Sequence, residues 1–208
     1  MRNILLCAAL AATAALAQYK TEPAGPAPSE LAPALRDALA KDGIKVLADA
    51  GAVACELWLR ASAPSGTPST EENVSLPSIP QGALLGVIRF SANGLDRRGF
   101  TIKAGLYTLR YSLYPVNGDH QGVAPQRDFL VLVRAADDPG STVNPPFDKL
   151  MDLARRASGT PHPLTLSLSK DSPGDTPRIT KQGDNDWVLH AKIGDLPVAV
   201  IVAGQYAG

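Results

Sequence analysis

The chain has 208 residues, with 20 basic against 20 acidic side chains, 45% hydrophobic residues and 5% aromatic ones. A balanced charge offers no excess of cations to displace counterions from a polyanion, so nucleic acid and anionic membrane surfaces are excluded as expected partners. The 18 glycines and 18 prolines suit a chain of short strands joined by many turns.

Residues 1–17 carry an export signature. Arg2 supplies a positive start, Ile4 to Leu16 form an apolar run, and Ala15-Leu16-Ala17 gives the small-x-small pattern of a cleavage site. The run falls short of the roughly 20 residues that a membrane-spanning helix requires. Cleavage near Ala17 is therefore expected, with a periplasmic or secreted destination and no membrane span in the mature chain. Cys7 leaves with the signal, and Cys55 remains without a partner for an intramolecular disulfide. The mature fold must rest on apolar burial.

Gln18 to Ser29 holds three prolines and almost no large apolar residue, which predicts a disordered tether over residues 18–29. A single β-rich domain is expected over residues 30–208. Ser29 predicts the cap of a short helix over Glu30 to Lys41, with Leu31, Leu35 and Leu39 on one face. From Ile44 the hydrophobic period becomes two, predicting strands over Ile44 to Leu47 and Val53 to Leu59. In the second, Val53, Cys55, Leu57 and Leu59 share one face, while Ala54, Glu56 and Trp58 share the other. Ala61 to Ser75 reads as a loop. Further strands are predicted over Gly86 to Ala92, Phe100 to Lys103 and Leu106 to Tyr114. The last of these alternates Tyr107, Leu109, Tyr111 and Leu113 against Thr108, Arg110 and Ser112, the pattern of a half-buried strand. Arg127 to Ala135 is apolar on both faces, as an interior strand covered on two sides would be. A helix over Pro145 to Ala157 and strands over Pro163 to Ser169, Trp187 to Ile193 and Val198 to Ala203 complete the domain. The fold class is mainly β: an antiparallel β-sandwich or open barrel with one or two short helices.

The segment Gly99 to Tyr111 contains I-x-x-G-x-Y-x-L, in which Gly105 permits a turn and Tyr107 and Leu109 re-enter the core face. Together with Gly118-Asp-His-Gln-Gly-Val-Ala-Pro-Gln-Arg-Asp-Phe129, it resembles uncharacterised secreted bacterial β-sandwich proteins, loosely similar to a conserved bacterial domain of unknown function. The resemblance covers about residues 83 to 138 and implies a fold class and a compartment, with no activity attached.

Asn117 to Gly122 followed by Arg127-Asp128 is the densest polar cluster between two strands. Asp119, His120 and Asp128 suit a metal ligand set, and Arg127 with Asp128 suits charge-assisted bonds to a polar ligand. The same residues also serve plain turn chemistry. His120, His162 and His190 lack the short spacings that put two ligands on one element. Trp58 shares its face with Ala54 and Glu56, which makes it a candidate sugar-stacking platform, whereas Trp187 is in phase with Leu189 and Ile193 and reads as core. Ser167-Leu-Ser-Lys170 matches S-x-x-K, but the pair alternates on a strand and lacks the required helical turn. No nucleophile elbow, zinc-protease motif or phosphate loop is present, and no cofactor is expected. The leading expectation is an exported binding protein without catalysis, taking a small molecule, glycan or envelope protein through loops at one end of the sheet. The alternatives are a metal-binding protein or metal-dependent enzyme centred on His120, and a carbohydrate-binding module using Trp58.

Overall fold

Period-two alternation turns one face of every strand toward a shared interior, and the chain meets this demand with one large antiparallel sheet. The computed structural model describes residues 18–116 and 126–205. In chain order the elements are β1 (Lys20–Gly25), α1 (Pro33–Arg36), β2 (Gly43–Leu47), β3 (Val53–Leu59), β4 (Leu84–Phe90), β5 (Gly94–Leu95), β6 (Thr101–Ile102) and β7 (Gly105–Leu113). They continue with β8 (Asp128–Arg134), α2 (Phe147–Ser158), β9 (Thr165–Lys170), β10 (Arg178–Gln182), β11 (Asp186–Ile193) and β12 (Leu196–Ala203).

Ten strands join in the order β1-β2-β3-β4-β7-β8-β9-β12-β11-β10, and β5 and β6 form a small hairpin of their own. The closing meander runs backwards, so that β12 docks on β9 and β10 becomes the final edge. The sheet curls until that edge approaches β1, where Thr21 Oγ1 lies 3.5 Å from the Pro177 carbonyl oxygen. The result is a nearly closed barrel, the open-barrel form of the expected fold class.

The interior is filled by the alternating sets read from the sequence, among them Cys55 and Leu57 of β3, Leu109 and Tyr111 of β7, and Leu189 and Ile193 of β11. Two patches cover the outside. Over β8, the outward Phe129, Val131 and Val133 pack under Leu150, Met151, Leu153 and Ala154 of α2. This covering explains why β8 is apolar on both faces. Helix α2 ends at Gly159, whose φ of 71° is open to glycine at little cost. Over β3 and β4, Leu31, Leu35 and Leu39 pack on Trp58, Leu84 and Val87.

Several elements differ from the sequence reading. The helix expected over residues 30–41 spans only Pro33–Arg36, because the chain beyond it is taken up by the sheet. Leu39 bridges to Arg60, and Ala40 N donates to the Leu59 carbonyl at 2.8 Å. Within the segment expected to be a disordered tether, Lys20–Gly25 is an edge strand paired with β2. An edge strand is where proline and charge are tolerated, so Pro23 and the scarcity of large apolar residues that argued against order are the normal content of such a position. Strand β10, with the polar sequence Arg-Ile-Thr-Lys-Gln, occupies the other edge for the same reason.

The polar face of β7 is not half-buried but fully covered. Residues 135–145 pass over it, and Arg110 and Asp138 pair there with side chains that are 0% exposed. Asp138 Oδ2 accepts from Arg110 Nε at 2.9 Å, and Oδ1 accepts from Nη2 at 2.5 Å. The remaining guanidinium protons go to the carbonyls of Gly82, Val143 and Gly140 at 2.9, 2.5 and 2.7 Å, so all five N–H donors are used. Removing one partner of such a pair strands a buried charge. Asp138→Ala is therefore expected to cost about 3–5 kcal/mol of stability, measured as a lowered urea midpoint by tryptophan fluorescence.

Candidate functional site

Strand β8 opens with Asp128, and its carboxylate is placed by the β7–β8 register, which sets Asp128 opposite Leu113. Asp128 is fully buried. Its Oδ2 accepts from Ser75 N at 2.7 Å, and Oδ1 accepts from Leu76 N at 3.0 Å and from the Tyr111 hydroxyl at 2.8 Å. Burial first, and then the hydrogen bond and charge of Asp128, push the Tyr111 phenol well up from its ordinary value. Arg127 donates through Nε and Nη2 to the Tyr114 carbonyl at 2.9 and 2.7 Å, through Nη1 to the Glu72 carbonyl at 3.1 Å, and through Nη2 to Glu71 Oε2 at 2.6 Å. The pair expected to hold a polar ligand thus holds the chain's own segment 71–76. Asp119 and His120 lie outside the described residues.

The anchored segment forms one wall of a cleft of about 560 Å³. Its lining is mostly apolar: Pro77, Ile79 and Pro80 from that segment, Tyr111, Leu113 and Tyr114 from the end of β7, and Phe147 from α2, with Arg127 and Glu71 among the polar groups. Tyr114 stacks on Phe129 with ring centroids 4.1 Å apart, and burial pushes its phenol upward. Gln81 also lines the cleft. Its Oε1 accepts from the Ser112 hydroxyl at 3.1 Å, while Nε2 is buried with no hydrogen-bond partner among the described residues. In this orientation the Ser112 hydroxyl satisfies Oε1 and leaves the Nε2 donor over. A buried donor without a partner costs about 1–3 kcal/mol.

Trp58 is not a platform. It is 2% exposed, roofed by Leu31, Leu35 and Leu39, and its Nε1 donates to the Gly25 carbonyl at 2.9 Å. Gly43 makes the seat, because a Cβ there would overlap the indole. A ring held in this way has no face to offer a sugar. Trp187, read as core, is partly exposed and meets Tyr19 at 5.0 Å between centroids. Cys55 points inward as expected, and burial pushes its thiol up to about 12. His162 is exposed and stacks on Phe100 at 4.8 Å, whereas His190 lies on the outer face of β11 beside Asp171 and Thr180. Among the described residues, no three His, Cys, Asp or Glu side chains gather as a metal site, and no helix is long and apolar enough to cross a membrane.

Neither a family model, a curated protein nor a solved structure matches the chain. The reading of the site therefore rests on its own geometry. Sequence inspection missed Gln81, because its signal is the failure to find a second partner, a property of the folded wall and not of the residues around it.

Two outcomes follow from the anchoring geometry. Asp128→Asn places an amide where two backbone N–H groups and a phenol need acceptors, so limited proteolysis should cut residues 61–81 faster, with about 1–3 kcal/mol lost in urea unfolding. Cys55 should resist iodoacetamide in the native protein and label fully once unfolded, read on its own peptide by mass spectrometry.

Proposed function

We propose that the chain is an exported binding protein whose cleft takes a small, largely apolar molecule carrying one hydrogen-bond acceptor. The observation that carries this reading is the Gln81 amide, a buried donor left over at the wall of a mostly apolar cleft. An acceptor on a ligand entering there recovers the cost of that donor, while the ligand's apolar body replaces water against Ile79, Leu113 and Phe147. The cleft volume lies within the roughly 300–1,000 Å³ that small-molecule sites occupy. Its walls come from two strand-linked segments and a helix pinned to the sheet, so little order has to be acquired on binding.

The setting is an extracytoplasmic one, supported by the Arg2 start, the apolar run and the Ala15-x-Ala17 site of the leader. In that setting a binder carries its ligand without drawing on cytosolic cofactors. Arg127 and Asp128 fix the segment that leads into Pro77, Ile79 and Pro80, and Arg127 also lines the cleft.

A naphthyl ketone whose emission shifts to the blue on leaving water tests the reading, together with its alkyl analogue lacking the carbonyl. The ketone is expected to bind saturably, and Gln81→Leu to weaken it by about tenfold or more with little effect on the analogue. Ile79→Trp, which fills the cleft, should abolish binding of both. Absence of saturable binding to the native protein, or binding untouched by Ile79→Trp, refutes the proposal.

A further inference from the structure

The two helices pack over β8 and over β3–β4, and leave the outer face of β9, β12, β11 and β10 to carry a separate feature. The registers Ser169↔Ala199, Ala199↔His190 and His190↔Arg178 set one residue from each of these four strands in a row on that face. Thr180 lies opposite Val188, on the diagonal from His190 and on the same face. Just past β9, Asp171 is held by its backbone N–H donating to the Pro197 carbonyl at 3.1 Å. From there its carboxylate crosses toward β11 past the small Ala199.

The three side chains meet in sequence. Asp171 Oδ2 is 2.8 Å from His190 Nδ1, and His190 Nε2 is 2.8 Å from Thr180 Oγ1. An ionised carboxylate only accepts, and the Asp171 contact to Nδ1 is shorter than the 3.2 Å contact from Arg178 Nη2; in the tautomer that pairs with Asp171, Nδ1 carries the proton and Nε2 presents its lone pair to the Thr180 hydroxyl. The Asp171 and His190 side chains are 11% and 14% exposed, which holds the imidazole in place, while Thr180 faces solvent. Arg178 Nη2 stands 3.2 Å from His190 Nδ1 and 3.6 Å from Asp171 Oδ2, beside the contact between the two. These groups line a trough of about 400 Å³ with Ser167, Ser169, Lys170 and Gln126. A hydroxyl, a base and a carboxylate that orients the base, within hydrogen-bond reach of one another, are recognised by geometry and not by order along the chain.

We propose that Thr180 is a nucleophile toward esters with short, polar acyl groups, with His190 as its base and Asp171 as the residue that positions the base. Thr180 Oγ1 attacks the acyl carbonyl carbon as its proton passes to His190 Nε2. The ester C–O bond then breaks, and the leaving alkoxide takes that proton and departs as an alcohol. Water enters, gives a proton to His190 and its oxygen to the acyl carbon. The acyl–Oγ1 bond breaks, the carboxylic acid leaves, and the proton returns to Thr180. The acyl preference follows from Ser167, Ser169 and Gln126, which offer a polar acyl group hydrogen-bonding partners beside the short apolar side chains of Val188 and Ala199.

The site is independent of the apolar cleft, and its test is separate. Native protein mixed with p-nitrophenyl acetate is expected to release a burst of nitrophenol equal to the enzyme present, and to carry an acetyl group on the Thr180 peptide under acid quench. Thr180→Val, a substitution of an exposed residue of similar shape, should remove burst and adduct with an unchanged melting temperature, and Thr180→Ser should keep both. His190→Ala is expected to lower turnover by about 100-fold or more, and Asp171→Asn by about tenfold or more with a shifted pH profile, while the exposed His162→Ala leaves it unchanged. The proposal fails if native protein shows neither burst nor adduct, if the acetyl group sits elsewhere, or if Thr180→Val turns over at the native rate.

Discussion

The pairing of Arg110 with Asp138 is the constraint around which the outer half of the molecule is arranged. Strand β7 sits between β4 and β8 in the middle of the sheet, and its outward face would ordinarily be the cheapest place to leave a cation in water. Here a loop is drawn across it, and the desolvation of a full guanidinium is offset only because every donor finds an oxygen. Four of those five oxygens, two on Asp138 and one each on Gly140 and Val143, belong to the covering loop itself. The geometry of that loop is thereby tied to the sheet just before it delivers Phe147 and α2 to their places. A hydrophobic covering of the same area would bind comparably well, but would specify the path of the loop less narrowly.

Asp128 works in a parallel way on the opposite side of β7. One carboxylate gathers two backbone N–H groups and a phenol, and so holds the 66–81 connection against the barrel end. Neither acidic anchor, Asp128 or Asp138, lines the apolar cleft itself. The cleft's walls therefore owe their positions in part to carboxylates set behind the lining side chains. The same division recurs on the far side of the barrel, where Ala199 matters through its small size and Pro197 through a single carbonyl.

Much of the barrel was legible because alternation survives translation into structure. The inward sets of β3, β7 and β9, and Leu189 and Ile193 of β11, are those that the period of two predicts, and the doubly apolar β8 announced that something would lie across it. What escaped did so for physical reasons. Strands β1 and β10 are edges, and edges are protected by the polar and proline residues that sequence reading takes as signs of disorder. Trp58 shares its strand face with Ala54 and Glu56, as an exposed platform would, yet the leucine face of Leu31, Leu35 and Leu39 folds back over it from well upstream in the chain. Arg110 was read as solvated because its partner lies 28 residues away. The group formed by Asp171, Thr180 and His190 spans 19 residues and three separate parts of the chain, so no spacing rule could have assembled it.

The seam between β1 and β10 carries a further consequence. A sheet that nearly closes on itself hides its two edges from every other molecule by turning each toward the other, yet few direct bonds lock them together. Along this one line, any momentary opening presents both halves of a missing strand pair at once, so that one copy's first edge is complementary to another copy's last. The charged and proline-bearing residues that made these two segments hard to recognise are thus also what keeps neighbouring barrels from zipping into one another.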